Sequence, residues 1–246
     1  MVGINRRHLM LGAAAVGAAV LVGRNWSGPG LSFDTTGVPQ GFRRLVLADN
    51  RLSSALQGVT LAGAAERLAP AKLCALTFRG APGGQGRLSI AVFSDYFCPY
   101  CRILDPQVEE LAAANPQITL IRHEIPLLGP ASDMAARAAV AAAQQGGGAS
   151  FRQRLMRTSF VPNHAYLRSV ADAEGLKPDR LIADLTAAST DVALAQSRAA
   201  FRAFGFPGTP GMVVGGTVVS GTVPGRKLRQ LIDLEIAAPA PCAAVP

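Results

Sequence analysis

The chain has 246 residues, 49% of them hydrophobic, with 24 lysine and arginine residues against 16 acidic ones and a formal net charge of +8. This length is enough to bury a sizeable core in one main domain. Three of the arginines (Arg6, Arg7 and Arg24) lie at the N-terminus, and without them the surplus is 21 minus 16, or +5. The other arginines form no basic stripe interleaved with aromatic residues, which argues against nucleic-acid binding.

Residues 1–26 have the pattern of an export signal with twin arginines. Arg6 and Arg7 precede an apolar stretch that extends to Gly23, and no acidic residue occurs before Asp34. The stretch is short for a membrane-spanning helix, but no clean Ala-x-Ala cleavage site precedes Arg24 at the end of the apolar stretch. The sequence therefore predicts a periplasmic or cell-envelope protein, with an uncleaved membrane anchor as the alternative to a cleaved signal.

Residues 27–86 form an N-terminal extension that the sequence describes least well. Apolar residues between Phe42 and Leu76 have mixed spacing, and the glycine-rich run from Gly80 to Gly86 is typical of a loop. No extended heptad repeat occurs, and the oligomeric state stays open.

A predicted strand, a Cys-x-x-Cys pair and a predicted helix follow one another from residue 87 onward. Residues 87–95 are short, apolar and partly β-branched, as in a buried strand. Cys98 and Cys101 come next, and Pro99 between them suits the first turn of a helix. Because a helix N-terminus stabilises a thiolate, the pattern predicts a redox-active pair with Cys98 as nucleophile.

Other uses of a Cys-x-x-Cys pair leave marks that are missing from this sequence. Covalent haem attachment needs a histidine after the second cysteine, where the chain has Arg102. A four-sulfur zinc site needs a second close pair, and Cys74 and Cys242 are far apart. The histidines (His8, His123 and His164) have no partner at metal-ligand spacing. We therefore predict neither a metal nor a cofactor.

The rest of the chain is predicted to add one strand, several helices and a hairpin. Residues 118–123 are predicted as a second core strand, which gives β-α-β order. Gly208, Thr209 and Pro210 open an apolar run that turns back at Gly215 and Gly216, the pattern of a hairpin. Between these strands lie candidate helices at 135–145, 151–156, 164–174, 178–188 and 191–204.

The strand with Cys98-Pro99-Tyr100-Cys101 and the later Gly208-Thr209-Pro210 segment resemble the thioredoxin superfamily, and within it the DsbA-like thiol:disulfide oxidoreductases. The resemblance covers roughly residues 87–236. It implies an α/β thioredoxin domain over 87–246, with a helical subdomain inserted at about 130–204 between the first β-α-β unit and the C-terminal hairpin and helix. The 108 residues between Cys101 and Pro210 exceed what a minimal thioredoxin or glutaredoxin needs.

The resemblance also implies roles for residues beside the cysteines. Thr209 and a cis Pro210 would lie next to the pair and hold an extended substrate, while Pro99 and Tyr100 would tune its potential. The superfamily often has an acidic residue six positions before the first cysteine, and this chain has Val92 there. Asp95 either replaces that acid in handling the proton of the buried cysteine or is a solvated strand end.

The two other cysteines have two alternative interpretations. In an oxidising compartment, Cys74 and Cys242 are expected to form a structural disulfide between the N-terminal region and the tail. The alternative is a buried free thiol at Cys74 and an exposed one at Cys242.

These observations predict an exported enzyme that exchanges the Cys98–Cys101 disulfide with cysteines of secreted proteins. The favoured direction is oxidation, with reduced or misoxidised exported proteins as substrates and a membrane redox partner for recycling. A reductase or isomerase of the same fold, or a thioredoxin-fold binding or chaperone module, is the alternative.

Overall fold

The computed structural model describes residues 30–47, 68–79, 87–158, 160–238 and 242. Within them lie six strands and eight helices, which we number in chain order. The strands are β1 (Ser32–Asp34), β2 (Arg43–Val46), β3 (Leu88–Ser94), β4 (Ile118–Glu124), β5 (Gly211–Val214) and β6 (Thr217–Ser220). The helices are α1 (Pro70–Phe78), α2 (Pro99–Ala114), α3 (Pro130–Gln144), α4 (Gly148–Arg157), α5 (His164–Ala173), α6 (Pro178–Asp184), α7 (Ala188–Ala203) and α8 (Gly225–Ile236).

The six strands form one mixed sheet in the order β1-β2-β6-β5-β3-β4. β3 pairs in parallel with β4 on one side and antiparallel with β5 on the other, and all seven of its residues are buried. Burial on both faces explains why β3 is a continuous apolar run without alternation. The predicted β-α-β unit, formed by β3, α2 and β4, is confirmed.

The hairpin of β5 and β6 closes through Gly215 and Gly216, as predicted from the sequence. Gly215 has a φ of +53°, and a Cβ atom there would lie 2.5 Å from the Glu235 carboxylate. That carboxylate accepts the Gly216 N–H and the Thr217 hydroxyl. The turn therefore depends on glycine both for its backbone conformation and for the close approach of α8.

Two strands that the sequence analysis did not detect, β1 and β2, extend the sheet. β2 pairs in parallel with β6, and β1 pairs antiparallel with β2. The Arg43 guanidinium in β2 donates to the Glu235 carboxylate at 2.7 Å and to the Thr217 hydroxyl at 3.0 Å. Part of the predicted N-terminal extension thus supplies two strands of the sheet.

The predicted helical insertion is present as α3 to α7, Pro130–Ala203, and packs around a core of its own. α3 contributes six buried alanines to this core, which let α4 and α6 pack closely against it. The predicted helix at 178–188 is too long, because α6 ends at Asp184 and α7 begins at Ala188.

In the part of the chain that the structure describes, no helix is both long and apolar enough to cross a membrane. The predicted signal or anchor at 1–26 lies outside the described residues.

Candidate active site

Cys98 lies at the junction between β3 and α2. It is the N-cap of α2, with Pro99 in the first helical turn, and its carbonyl accepts the N–H groups of Cys101 and Arg102. No acidic residue lies in that first turn. The positive end of the helix macrodipole therefore acts on Cys98 without a nearby opposing carboxylate on the same turn.

The two sulfurs differ in their surroundings. Both cysteines are free thiols, and 5% of Cys98 is exposed, whereas Cys101 is fully buried. The Cys98 Sγ donates to the Thr209 carbonyl at 3.3 Å, and the Cys101 Sγ accepts the Asp95 N–H at 3.5 Å. Burial raises the pKa of the Cys101 thiol well above its ordinary value. Of the two cysteines, only Cys98 retains any exposed surface, so it is the one open to attack by a thiolate from another molecule.

The Thr209–Pro210 peptide bond is cis and lies against Cys98. β5 begins directly after Pro210, and its first residue, Gly211, pairs with Phe93 near the end of β3. The Pro210 carbonyl accepts the Gly221 N–H at 2.8 Å. Antiparallel pairing of β5 with β3 thus brings together Cys98 and Thr209, which are 111 residues apart.

Asp95 is buried, so the interpretation that it is a solvated strand end is wrong. Its carboxylate accepts four hydrogen bonds, from the Phe97 N–H, the Ser132 hydroxyl and the N–H groups of Leu127 and Leu128. These bonds compensate for burial of the charge and tie the loop after β4 to the segment before Cys98. Val92, where the superfamily often has an acid, is fully buried in β3.

Exposed apolar side chains lie on the two segments that flank the cysteines. Pro99 and Tyr100 are exposed, with Tyr100 at 60%, and Ile103 on α2 is also exposed. Leu127 and Leu128, held by Asp95 through their N–H groups, are exposed on the loop after β4. No sequence pattern marked Ile103, Leu127 or Leu128 as functional residues, because apolar residues at these positions are also compatible with a core role.

Cys74 in α1 and Cys242 in the C-terminal tail are joined by a disulfide, with a Cα–Cα distance of 5.6 Å across 168 residues of sequence. Cys242 is buried in an apolar cluster that includes Phe42, Leu73 and Phe201. This pair is therefore bonded and packed into the core, away from a helix N-terminus.

His123 is also a structural residue. Its Nε2 donates to the Thr77 carbonyl at 2.8 Å, its Nδ1 lies 3.2 Å from the Ser197 hydroxyl, and its ring stacks on Phe93. Burial lowers the pKa of His123 to about 3, and the Arg79 guanidinium acts in the same direction. Among the described residues, no group of three His, Cys, Asp or Glu side chains could hold a metal ion.

A family model and several solved structures are similar to this chain. The family model of the DSBA-like thioredoxin domain matches residues 89–233. A thioredoxin-like oxidoreductase from Silicibacter pomeroyi DSS-3 is 35% identical, covers 67% of this chain and 98% of its own, and superposes with a TM-score of 0.61. The catalytic domain of Proteus mirabilis ScsC is 23% identical, covers 70% of this chain and all of its own, with a TM-score of 0.58.

A third solved structure, the thiol-disulfide exchange protein alpha-DsbA2 from Wolbachia pipientis, is 20% identical. It covers 73% of this chain and 97% of its own, with a TM-score of 0.59. A search of the curated proteins gave no match. The chain belongs to the DSBA-like thioredoxin domain family, which makes it an enzyme of the thiol-disulfide oxidoreductase class. The predicted thioredoxin fold with a helical insertion is confirmed.

Proposed function

We propose that this protein is an exported oxidase that transfers its Cys98–Cys101 disulfide to cysteine pairs of secreted proteins. The observation that carries the proposal is the contact of the Cys98 sulfur with Thr209, at a helix N-terminus, with Cys101 fully buried behind it. This arrangement gives a substrate thiolate one sulfur to attack, and it places beside that sulfur a backbone carbonyl that can accept an N–H of the substrate chain.

The reaction begins from the oxidised enzyme. A substrate thiolate attacks the Cys98 Sγ, the Cys98–Cys101 bond breaks, and Cys101 leaves as a thiolate that takes up a proton. A second substrate thiolate then attacks its partner sulfur in the mixed disulfide and releases Cys98 as a thiolate. The substrate loses two electrons, and the enzyme disulfide gains them as it becomes a dithiol. The raised pKa of Cys101 slows its attack on the mixed disulfide, which favours completion by the substrate.

The direction of electron transfer depends on which redox form of the enzyme is more stable. A helix N-terminus stabilises the Cys98 thiolate, which exists only when the disulfide is open. Stabilising the reduced form makes the disulfide a stronger oxidant. The position of Cys98 at the start of α2 therefore favours an oxidase over a reductase or isomerase.

The surroundings of the pair suit unfolded protein substrates. Tyr100, Ile103, Leu127 and Leu128 are exposed apolar side chains on the two flanking segments. An extended chain bonded near Thr209 would place its own apolar side chains against them. The predicted export signal supports an envelope location, and a similar solved structure is a periplasmic thioredoxin-like protein from Salmonella enterica. A membrane redox partner would reoxidise the dithiol.

The decisive experiment combines substrate oxidation with a redox equilibrium. Oxidised protein is mixed with a reduced two-cysteine peptide, and we expect one peptide disulfide per enzyme and none with Cys98→Ser. Cys101→Ser has no disulfide to transfer, so it is mixed instead with the peptide in its disulfide form. The Cys98 thiolate then opens the peptide disulfide, and we expect a mixed disulfide between Cys98 and the peptide. The reduction potential against glutathione then separates the directions. A value near that of thioredoxin, about −270 mV, would contradict the oxidase and favour the reductase or isomerase. A folded wild-type protein that oxidises no peptide would indicate a binding module.

A further inference from the structure

A cluster of buried charged side chains lies behind the active-site helix and is not part of the reaction described above. Arg152 from α4 donates to the Asp105 carboxylate on α2 at 2.9 Å and to the Glu124 carboxylate at the end of β4 at 3.3 Å. The three residues are 2%, 2% and 6% exposed. Arg122 on β4 also reaches Asp105, at 3.4 Å, and pairs with Glu109 at 2.8 Å.

This cluster is connected to the cysteines at two points. Asp105 lies four residues after Cys101 on the buried side of α2, one helical turn away. The Asp105 carboxylate also accepts the hydroxyl of Ser94 at 3.1 Å, and the next residue, Asp95, donates its N–H to the Cys101 sulfur. A change in the position or charge of Asp105 therefore reaches Cys101 along the helix and along the end of β3.

The same cluster is connected to the helical insertion. Arg152 belongs to α4, and its guanidinium carbon lies 5.6 Å from the centre of the Tyr96 ring. Tyr96 is two residues before Cys98, and its side chain packs in the core of the insertion with Phe151 and Leu155. Arg152 is thus a charged side chain of the insertion that contacts both the active-site helix and the segment before Cys98.

The cluster is poorly arranged for stability alone. The buried Nη1 of Arg152 makes no hydrogen bond among the described residues and lies 3.9 Å from the Glu109 carboxylate, and the Tyr96 hydroxyl interacts with the Glu124 carboxylate. Burial raises the pKa of Glu124, and Arg152 opposes this shift. Buried ion pairs with unsatisfied polar atoms contribute little to stability, so such groups call for another explanation.

We propose that Arg152 is a positioning residue that sets the redox equilibrium of the Cys98–Cys101 pair from the helical insertion. The inference rests on the proposed function of the pair. With Arg152 present, three carboxylates (Asp105, Glu109 and Glu124) face two guanidinium groups, those of Arg122 and Arg152. Without Arg152, the same three carboxylates face one guanidinium group, that of Arg122. The added negative potential behind α2 would disfavour the Cys98 thiolate and so weaken the disulfide as an oxidant.

The test measures the equilibrium constant for oxidation of glutathione by the protein in four variants. For Arg152→Met we expect a constant about three- to tenfold lower, equivalent to about 15–30 mV. Arg152→Lys keeps the positive charge, so its equilibrium constant should be close to that of the wild-type protein. Glu124→Gln keeps the oxygen that accepts from Arg152 and removes a carboxylate charge, so we expect the opposite shift. Arg154→Met, two residues along α4 with a half-exposed side chain, is the matched control and should leave the constant unchanged.

If the role of Arg152 is purely structural, Arg152→Met will lower the free energy of unfolding of both redox forms equally. The equilibrium constant will then stay within twofold of wild type, and this result would overturn the inference. If Arg152→Met does not fold, Glu124→Gln decides, and an unchanged or lower constant has the same consequence. The proposed function is tested separately, because glutathione exchange can be read even if no peptide is oxidised.

Discussion

The two cysteine pairs of this protein have opposite chemistry, although one member of each pair is buried to nearly the same extent. Cys98 is 5% exposed and Cys242 is 4% exposed, yet the first belongs to a dithiol and the second to a disulfide. Cys98 and Cys101 are three residues apart in the first turn of a helix. Cys74 and Cys242 are 168 residues apart and meet in an apolar cluster.

The difference shows that loop length and local electrostatics, rather than exposure, distinguish the two pairs. A bond that closes 168 residues removes much entropy from the unfolded chain, whereas a bond between neighbouring residues removes little. Cys98 is the N-cap of α2, a position that in general favours the open form of a dithiol pair, whereas Cys242 lies in none of the described helices. The long-range bond is therefore expected to be permanent and the local one exchangeable.

Removal of the long-range disulfide gives the largest expected effect on stability. In a Cys98→Ser/Cys101→Ser background, we expect Cys74→Ala/Cys242→Ala to lower the free energy of unfolding by about 2–5 kcal/mol. Guanidinium denaturation measures this loss. With Cys98 and Cys101 intact, the same two alanine substitutions should leave the glutathione equilibrium unchanged. A shifted equilibrium, or a loss below about 1 kcal/mol, would remove the distinction between the pairs.

His123 provides a pH-dependent test of the same region, because it bonds to the Thr77 carbonyl on α1, the helix that carries Cys74. The pKa of His123 is lowered to about 3 in the folded protein, and an unfolded histidine titrates near 6.5. Below pH 6.5 the unfolded chain binds more protons at this site, so stability falls as the pH falls, by about 1.4 kcal/mol per unit at most.

Other groups also titrate in this range, so the difference between variants is the quantity to measure. We expect His123→Gln, which does not titrate, to lose less stability than wild type between pH 6.5 and 4.5, by about 2–3 kcal/mol. His164→Gln, at an exposed position, is the control and should follow wild type. A parallel decline for His123→Gln and wild type would show that His123 does not contribute to the acid sensitivity.

Local sequence patterns predicted the elements that build the redox pair. Burial of β3, Pro99 at the start of α2 and the Gly215-Gly216 turn each depend on residues within one element or turn. β1 and β2 escaped detection because they have three and four residues and because β6, the partner of β2, lies about 170 residues later. A short strand of this kind is defined by its partner, not by its own pattern.

The side-chain contacts that support the site were equally non-local. Asp105 and Arg152 are 47 residues apart, and their ion pair forms only because the helical insertion folds back against α2. Asp95 resembled a strand end in the sequence because its donors, Ser132 and the N–H groups of Leu127 and Leu128, lie 32–37 residues further along the chain.

Substitution of Asp95 gives the smallest predicted loss in the free energy of unfolding. Asp95 supports the redox pair through hydrogen bonds, whereas the Cys74–Cys242 disulfide supports α1 through a covalent bond. Both oxygens of its carboxylate accept two bonds each. Asn has one accepting oxygen, so Asp95→Asn leaves two N–H groups or one N–H and a hydroxyl without an acceptor. We expect a loss of about 1–3 kcal/mol in the free energy of unfolding, against about 1 kcal/mol for Ser132→Ala, which removes one of these donors.

The rate of peptide oxidation distinguishes this supporting role from proton handling. The Asp95 N–H that contacts the Cys101 sulfur belongs to the backbone and survives the substitution. All four bonds to the carboxylate come from donors within the fold, so a proton on Asp95 would displace one of them. We therefore expect Asp95→Asn to oxidise the peptide at about the wild-type rate, with an unchanged pH profile. Loss of a group that transfers the Cys101 proton would instead slow the reaction by about a hundredfold or more and alter that profile.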